Sequence, residues 1–419
     1  MTGALDNANT TPSPSEPKAT AHHRVLMIAP TSFFADYGCH VRILEETRAL
    51  ERLGCRVTIC TYFNGRDLPG VDTLRTMSIP WREHYEVGSS RHKIAFDALL
   101  LLRTFAAMWR VRPTIIHAHL HEGALIGYPL ARLWGVPMVF DLQGSASSEM
   151  VDHHFLSADG PLYEPMRRLE RLIDRLAPRI MTSSAHVAEL LVQEFGCPPH
   201  KIDCVPDFVD TDVFHPLQDP NEVQRLRHAW GIPRDRTVVV YLGKLATYQG
   251  TDHLLRAAGA LCRTREDLHF VIGGYPFVDH YEHMARELGL CDRVTFTGRV
   301  RYEEAPRLLA LGDIAVSPKL SQTEGAGKLL NYMAMGLPTV AFDTEVSHEY
   351  LAEHGVYARR GDDDDLARCL AELADDPARR ASLAGALRRR AEECFSWEAA
   401  GRRILDVYAQ VVGSRERDR

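Results

Sequence analysis

Residues 317–343 read SPKLSQTEGAGKLLNYMAMGLPTVAFD, and the order of blocks in this stretch decides the fold class. It starts on the end of an apolar run, Ile314-Ala315-Val316, which predicts a short buried strand. Glu324-Gly325-Ala326-Gly327 follows, and then a block of good helix formers, Lys328 to Met335, with Leu329, Leu330 and Met333 on one face. Gly336-Leu337-Pro338 stops that helix. Thr339-Val340-Ala341-Phe342 is a second buried strand. Strand, glycine loop, helix and strand make a parallel βαβ unit. Glycines let backbone approach a ligand closely, and the N–H groups of a helix start attract anions. The bland reading is a tight βαβ turn with Glu324 as a solvated cap.

The same pattern recurs on both sides of this stretch. Upstream, Thr237 to Leu242 is a buried strand opening onto Gly243-Lys244-Leu245-Ala246-Thr247-Tyr248-Gln249-Gly250, and Thr251 is expected to N-cap a helix from Asp252 to Cys262. Lys244 and Gln249 flank a glycine loop at a helix start, a setting able to hold a diphosphate. His269 to Ile272 runs into Gly273-Gly274, and Arg293 to Phe296 into Thr297-Gly298. Loops at the carboxyl ends of several parallel strands converge on one place, which points to a ligand site there.

Nearer the amino terminus, Val25 to Ala29 is a continuous apolar run, as in a strand covered on both faces. A loop to Gly38 and a helix from about His40 to Leu53 follow it, with Ile43, Leu44, Thr47 and Leu50 on one side and Gly54 as its stop. Val57 to Cys60 completes another βαβ unit. Ile94 to Val111 is apolar but broken by Asp97, Arg103 and Arg110, too broken to span a bilayer, and reads as a core-facing helix. Thr114 to His119 is a strand; if it persisted, His117, His119 and His121 would share a face and could chelate zinc. Gly123 ends it early, so His117 reads as a packed strand residue and His119 as sitting at the strand's mouth, facing a cleft. Pro137 to Asp141 is the next strand. Pro165 to Ala177 is a helix rich in arginine, read as a solvated face with mixed pairs, or secondarily as a membrane-surface contact. A proline-rich change of register near 206–220 marks a domain boundary, and Trp397 to Val411 is a long closing helix.

Length and composition agree with this reading. The 419 residues suffice for two domains with cores of their own. A net charge of -7 argues against a general affinity for nucleic acid. Nine scattered cysteines, never spaced C-x-x-C, fit reduced thiols and a cytoplasmic location. Residues 1–22 are too polar to order themselves, and 413–419 form a charged tail.

The order of these parts resembles the family 4 retaining glycosyltransferases of the GT-B fold. Tyr37-Gly38 before the first helix, HAH at 117–119, PDFVD at 206–210 and GKLATYQG at 243–250 carry the resemblance. So do FTGRV at 296–300, TEGAGKLLNYMAMGLPTV at 323–340 and FSWEAA at 395–400. The resemblance implies an α/β protein of two facing Rossmann-like domains, an acceptor-binding one over 23–206 and a nucleotide-sugar-binding one over 207–395. A helix over 396–412 would cross back to the first. It implies transfer of a hexose-type sugar from a nucleotide-diphosphate sugar, as co-substrate, to a carbohydrate, lipid or small-molecule acceptor, with no cofactor and no metal ion. By position, Glu324 would bond the sugar hydroxyls, Gly38 would admit the diphosphate, His119 would contact sugar and phosphate, and Lys244 would stabilise the phosphate. Gln249, Gly325, Gly327, Lys328 and Asn331 would complete the donor site, with Arg299 and Val300 meeting the base. A peripheral contact at the inner membrane face is a secondary expectation.

Three features depart from the family pattern. The arginine and lysine of the phosphate loop are Lys244 and Gln249, the second glutamate of the E-x7-E pattern is Asn331 on a segment one residue shorter, and the double glycine of the first loop is Tyr37-Gly38. Gln249 leaves one cation missing on the diphosphate, which Lys328 or Lys319 would replace. The nearest rival enzyme is a nucleotide-sugar epimerase or hydrolase on the same two-domain scaffold, and the changes at Lys244, Gln249 and Asn331 open a second reading, a non-catalytic nucleotide-sugar-binding subunit.

Overall fold

A computed structural model describes residues 23–36, 38–78, 93–152, 156–321 and 325–417. The tail expected at 1–22 lies outside them, as do Tyr37 and Glu324. The first sheet contains β1 (Arg24–Ala29), β2 (Arg56–Thr61), β3 (Asp72–Arg75), β4 (Ile115–His119), β5 (Met138–Leu142), β6 (Ile180–Thr182) and β7 (Ile202–Cys204). The second contains β8 (Thr237–Leu242), β9 (Leu268–Gly273), β10 (Val294–Gly298), β11 (Ile314–Ser317), β12 (Thr339–Phe342) and β13 (Val356–Ala358). Every pairing is parallel. The strand orders are β3-β2-β1-β4-β5-β6-β7 and β10-β9-β8-β11-β12-β13. Each sheet therefore reverses direction at one point, between β1 and β4 in the first and between β8 and β11 in the second. Chain leaving the two strands at such a point diverges to opposite faces and opens a crevice at their carboxyl ends.

The helices of the first domain are α1 (Gly38–Arg52), α2 (Lys93–Val111), α3 (Leu120–Trp134), α4 (Ala146–Asp152), α5 (Tyr163–Leu176) and α6 (Ala185–Gln193). Those of the second are α7 (Pro220–Ala229), α8 (Thr251–Cys262), α9 (Val278–Glu287), α10 (Ala305–Leu309), α11 (Gly327–Ala334), α12 (Glu345–Leu351), α13 (Asp363–Asp375) and α14 (Pro377–Cys394). Side chains from α2, α3, α5 and α6 form the core on one face of the first sheet. On the other face the core of α1 runs on without a break through Val205, Val209 and Phe214 into α10, α11 and α12 of the second domain. α15 (Trp397–Arg417) crosses back and packs on α1. Gly401 makes that approach close, since a Cβ there would meet Leu53 Cδ1 at 2.7 Å. Where the chain crosses and returns, Val209 pairs with Ser396 as an isolated parallel bridge.

Three local expectations change. Thr251 is the first residue of α8 rather than its cap; Gly250 occupies the cap at φ 77°, and the Thr251 hydroxyl bonds Ala246 instead. The helix read as ending at Val411 continues to Arg417, through part of the segment expected to be a tail. α2 turns only one side to the core; Leu102, Phe105 and Trp109 on its other side face solvent.

Candidate active site

Because both switch points open toward each other, the loops after β1, β4, β8 and β11 enclose one cavity of about 350 Å³ between the domains. From the first domain it is lined by Thr31, Gly38, Lys93 and Gln143, and from the hinge by Asp207. From the second come Gly243, Lys244, Gln249, Lys319, Gly325, Gly327, Lys328 and Asn331. Residues from five of the segments singled out in the sequence, 37–38, 206–210, 243–250, 296–300 and 323–340, thus meet in one space.

The second-domain wall is built by close backbone approach. Gly250, at φ 77°, has no room for a side chain, since its Cβ would lie 1.7 Å from the Pro318 carbonyl oxygen. That contact seats the 243–250 loop on the 318–327 loop, and the Leu320 amide donates to the Tyr248 carbonyl at 3.0 Å across the join. Among the described residues no side chain caps the first turn of α8 or α11, so both helix starts can offer amide donors.

Three lysines converge on these helix starts. Lys328 Nζ donates to Gln249 Oε1 at 2.8 Å and to the Tyr241 hydroxyl at 3.2 Å, and lies 4.6 Å over the Tyr241 ring. Lys319 Nζ donates to the Gly325 carbonyl at 2.7 Å. Lys244 Nζ lies 5.6 Å from the centre of the Tyr248 ring. The Gln249 side chain therefore holds a cation in the place where the family pattern has a lysine of its own. Asn331 also lines the cavity, and Glu324 lies outside the described residues.

Arg299 and His119 fall elsewhere. The Arg299 guanidinium donates to Asp36 Oδ2 at 3.0 Å and stacks 4.7 Å from the Tyr275 ring, while Val300 beside it lines the cavity. Asp36 also accepts from Arg66 at 2.6 Å and from the Tyr302 amide at 3.0 Å. Burial alone would raise the Asp36 carboxyl, but these donors hold it below the usual carboxylate range. The loop after β1 and the second domain are stitched together at this edge.

His119 is not at the mouth of the cleft. It is fully buried behind the cavity wall, stacked on His117 at 4.4 Å, with its Nδ1 3.0 Å from Asp141 Oδ2. Arg42 donates to Asp141 at 2.6 Å and to Asp207 at 2.7 Å, and pairs with Glu46 at 3.1 Å. Burial opposes the charge on Asp141, yet Arg42 and His119 hold its carboxyl well below the ordinary range. Burial and the neighbouring Asp141 charge push Glu46 well above it. The Tyr408 hydroxyl, brought by α15, lies 2.7 Å from His117 Nδ1. This network connects the core of the first domain to the hinge, because Asp207 also accepts from the Tyr350 hydroxyl of the second domain at 3.1 Å.

The extended strand on which His117, His119 and His121 would share a face, already disfavoured by Gly123, does not form. β4 ends at His119, and Leu120 adopts φ 60° and starts α3, which turns His121 away toward Asp174 at 3.4 Å and Glu170 at 3.6 Å. Burial works against a charged His121, but the two carboxylates outweigh it and raise the imidazole to about 9. Among the described residues, Glu46, His117, His119 and Asp141 do place ligand-type atoms within 4.8 Å of one another. Arg42 is paired with both carboxylates of that group, so it reads as a charge network.

Sequence reasoning missed Asp36, Arg42 and Lys93. Arg42 sits at an ordinary helical position, and nothing in its neighbours marks it. Asp207 carried a signal, since it lies within the PDFVD hinge segment.

Comparison with known proteins agrees with this geometry. Residues 38–213 match the family model described as Glycosyltransferase Family 4, and residues 222–390 match that described as Glycosyl transferases group 1. A D-inositol 3-phosphate glycosyltransferase from Streptosporangium roseum is 27% identical, over 96% of this chain and 97% of its own. A 2-deoxystreptamine glucosyltransferase from Streptomyces kanamyceticus is 29% identical, over 81% and 90%. Among solved structures, sucrose-phosphate synthase from Thermosynechococcus elongatus superposes with a TM-score of 0.78 at 18% identity, over 93% of this chain and 99% of its own. The Anabaena HepE protein in complex with UDP-glucose gives 0.73 at 16%, over 93% and 100%. At those identities the structures establish the fold.

Proposed function

The chain is a family 4 glycosyltransferase of the GT-B fold, and from that premise we propose that it moves a hexose-type sugar from a nucleotide-diphosphate sugar to an acceptor hydroxyl with retention at the anomeric carbon. The observation that carries this reading is the convergence of Lys244, Lys319 and Lys328 with the starts of α8 and α11 on one interdomain cavity. Breaking the bond from the anomeric carbon to the phosphate oxygen leaves positive charge on the sugar and negative charge on the nucleoside diphosphate. Cations and backbone N–H groups fixed beforehand stabilise that diphosphate without reorganising.

The acceptor hydroxyl approaches from the first-domain side, on the face the diphosphate is leaving. Its oxygen bonds the anomeric carbon, and its proton passes to the departing phosphate oxygen, so the configuration is retained. Lysine charge serves the leaving group here, and turnover is expected to persist in excess EDTA.

Thermal-shift titration with UDP- and GDP-sugars tests the donor half. Product analysis by NMR, with cyclitols of the kinds named for the two relatives among the acceptors, tests transfer and its stereochemistry. A stabilising nucleotide sugar and a product of retained configuration are expected. Release of free sugar with no acceptor product would make the chain a hydrolase, and binding without turnover a binding subunit.

A further inference from the structure

α2 is apolar on two sides, and the cavity uses neither. Phe96, Leu100, Ala107 and Met108 pack onto the sheet. On the opposite side Ile94, Leu101, Leu102, Phe105 and Trp109 are exposed, from 38% at Leu101 to 77% at Ile94. With exposed Ala98 between them, they form one continuous helical stripe of about four turns. Trp134 of α3 stands edge-on to Phe105 at 4.9 Å and to Trp109 at 6.0 Å. Leu133 beside it is 70% exposed. α5 lies against α3 and adds Leu169 and Leu172. Ten of the fifteen exposed large apolar side chains among the described residues lie on α2, on α3, or on α5 with its cap Leu162. Scattered singly such residues mean little; gathered on one face they mark a contact surface.

Charge says what the contact is. The whole chain carries -7, yet the exposed charges bordering this stripe at its far end are Arg110, Arg112 and Arg132. Asp97, the one carboxylate on α2, accepts from the Tyr62 hydroxyl at 2.6 Å, and Glu122 of α3 is paired with Lys93. On α5, Glu164 is shared between Arg168 and Arg171, while Glu170 and Asp174 are buried. An indole and phenyl centre rimmed by arginines matches the order of a bilayer interface, acyl chain first and anionic headgroup above it. Pairing with a second copy of the same face would bring the arginine rims together, and like charges set opposite each other cost affinity.

We propose that this face docks the protein on an anionic phospholipid bilayer, with Leu102, Phe105, Trp109 and Leu133 at the acyl–headgroup boundary and Arg110 and Arg132 at the level of the phosphates. α2 starts at Lys93 and α3 at Leu120, both in the cavity wall. The docked surface therefore runs outward from the first-domain side of the cleft and holds that side next to the membrane. The proposal goes beyond the reaction above, and its test uses no donor or acceptor.

The test is co-sedimentation of the full chain with vesicles of phosphatidylcholine containing roughly a third phosphatidylglycerol, against vesicles of phosphatidylcholine alone. Pelleting with the anionic vesicles is expected, about tenfold weaker on the neutral ones and weakened by salt. Leu102→Glu with Trp109→Glu should cut binding to anionic vesicles about tenfold or more at an unchanged Tm, because both side chains are exposed. Arg110→Glu with Arg132→Glu should remove the preference for phosphatidylglycerol. Failure to pellet with either vesicle, or full binding by the Leu102/Trp109 variant, overturns the proposal. So does a dimer that this variant dissociates while no vesicle is bound, which would assign the face to a second copy.

Discussion

Replacing Lys328 by glutamine removes one cation from the cavity and leaves its neighbours in place. Lys328 Nζ lies 2.8 Å from Gln249 Oε1, so a ligand phosphate in the cavity would meet the two side chains together. A unit charge about 4 Å from a phosphate oxygen, at an effective dielectric of about 20, contributes about 4 kcal/mol. Expressed in the transition state, that is roughly a thousandfold in kcat/KM for the donor. Gln249→Lys in the Lys328→Gln background puts a charge back within a few ångströms, and recovery of about tenfold or more is expected. Gly243→Ala offers an independent route to the same defect, since its Cβ would sit 2.8 Å from Lys328 Nζ and push that flexible end away. Combined with Lys328→Gln it should add little, because both changes remove one interaction. The assay is steady-state release of nucleoside diphosphate, with Tm measured alongside to show that the fold holds. A Lys328→Gln enzyme within about threefold of wild type, or no recovery from Gln249→Lys, would show that the charge at this point does not stabilise the leaving diphosphate.

Arg42→Met should destabilise the protein by about 3–5 kcal/mol, read by denaturant unfolding, because it strands the buried carboxylate of Asp141. Adding Asp141→Leu should recover part of that loss, and an unchanged midpoint in the single variant would show the network to be dispensable. For His121 the sign follows from a folded-state imidazole raised to about 9. The stability it contributes is fully present below about pH 6.5 and lost as pH rises through about 9. The gap in unfolding free energy between wild type and His121→Gln should therefore be widest in mild acid, roughly 3 kcal/mol at most, and close toward pH 10; a gap independent of pH would deny the ion pair with Asp174.

Much of the fold was legible because the central parallel strands are short, continuous apolar runs, and that signal needs no partner to be read. β1, β8, β11 and β12 are all of this kind. The edge strands β3 and β13, at four and three residues, carry too few side chains for any period to show. The donor side of the cavity was legible for a related reason, since backbone approach requires glycine and a helix start has a sequence signature. Gly243, Lys244, Gln249, Gly325, Gly327 and Lys328 come from two such loops. His119 was misplaced because alternation along a strand says which residues share a face but not which face is covered. The crossover helix covers it, with Tyr408 set against His117. α2 was half-read for a similar reason, since a helix apolar all round does not declare which side meets the sheet.

By itself the chain determined the two βαβ-built halves, their order, and the glycine loops at the carboxyl ends of their strands, because these follow from local patterns of apolar residues, glycine and helix formers. Only the tertiary structure decided that Lys328 stands beside Gln249, that Asp36 closes on Arg66 and Arg299, that Arg42 bridges the core to the hinge, and that one face of α2 is left to the outside. Those are contacts between residues tens to hundreds of positions apart. Their geometry is set by how two sheets and a returning helix pack, and no local window of sequence contains it.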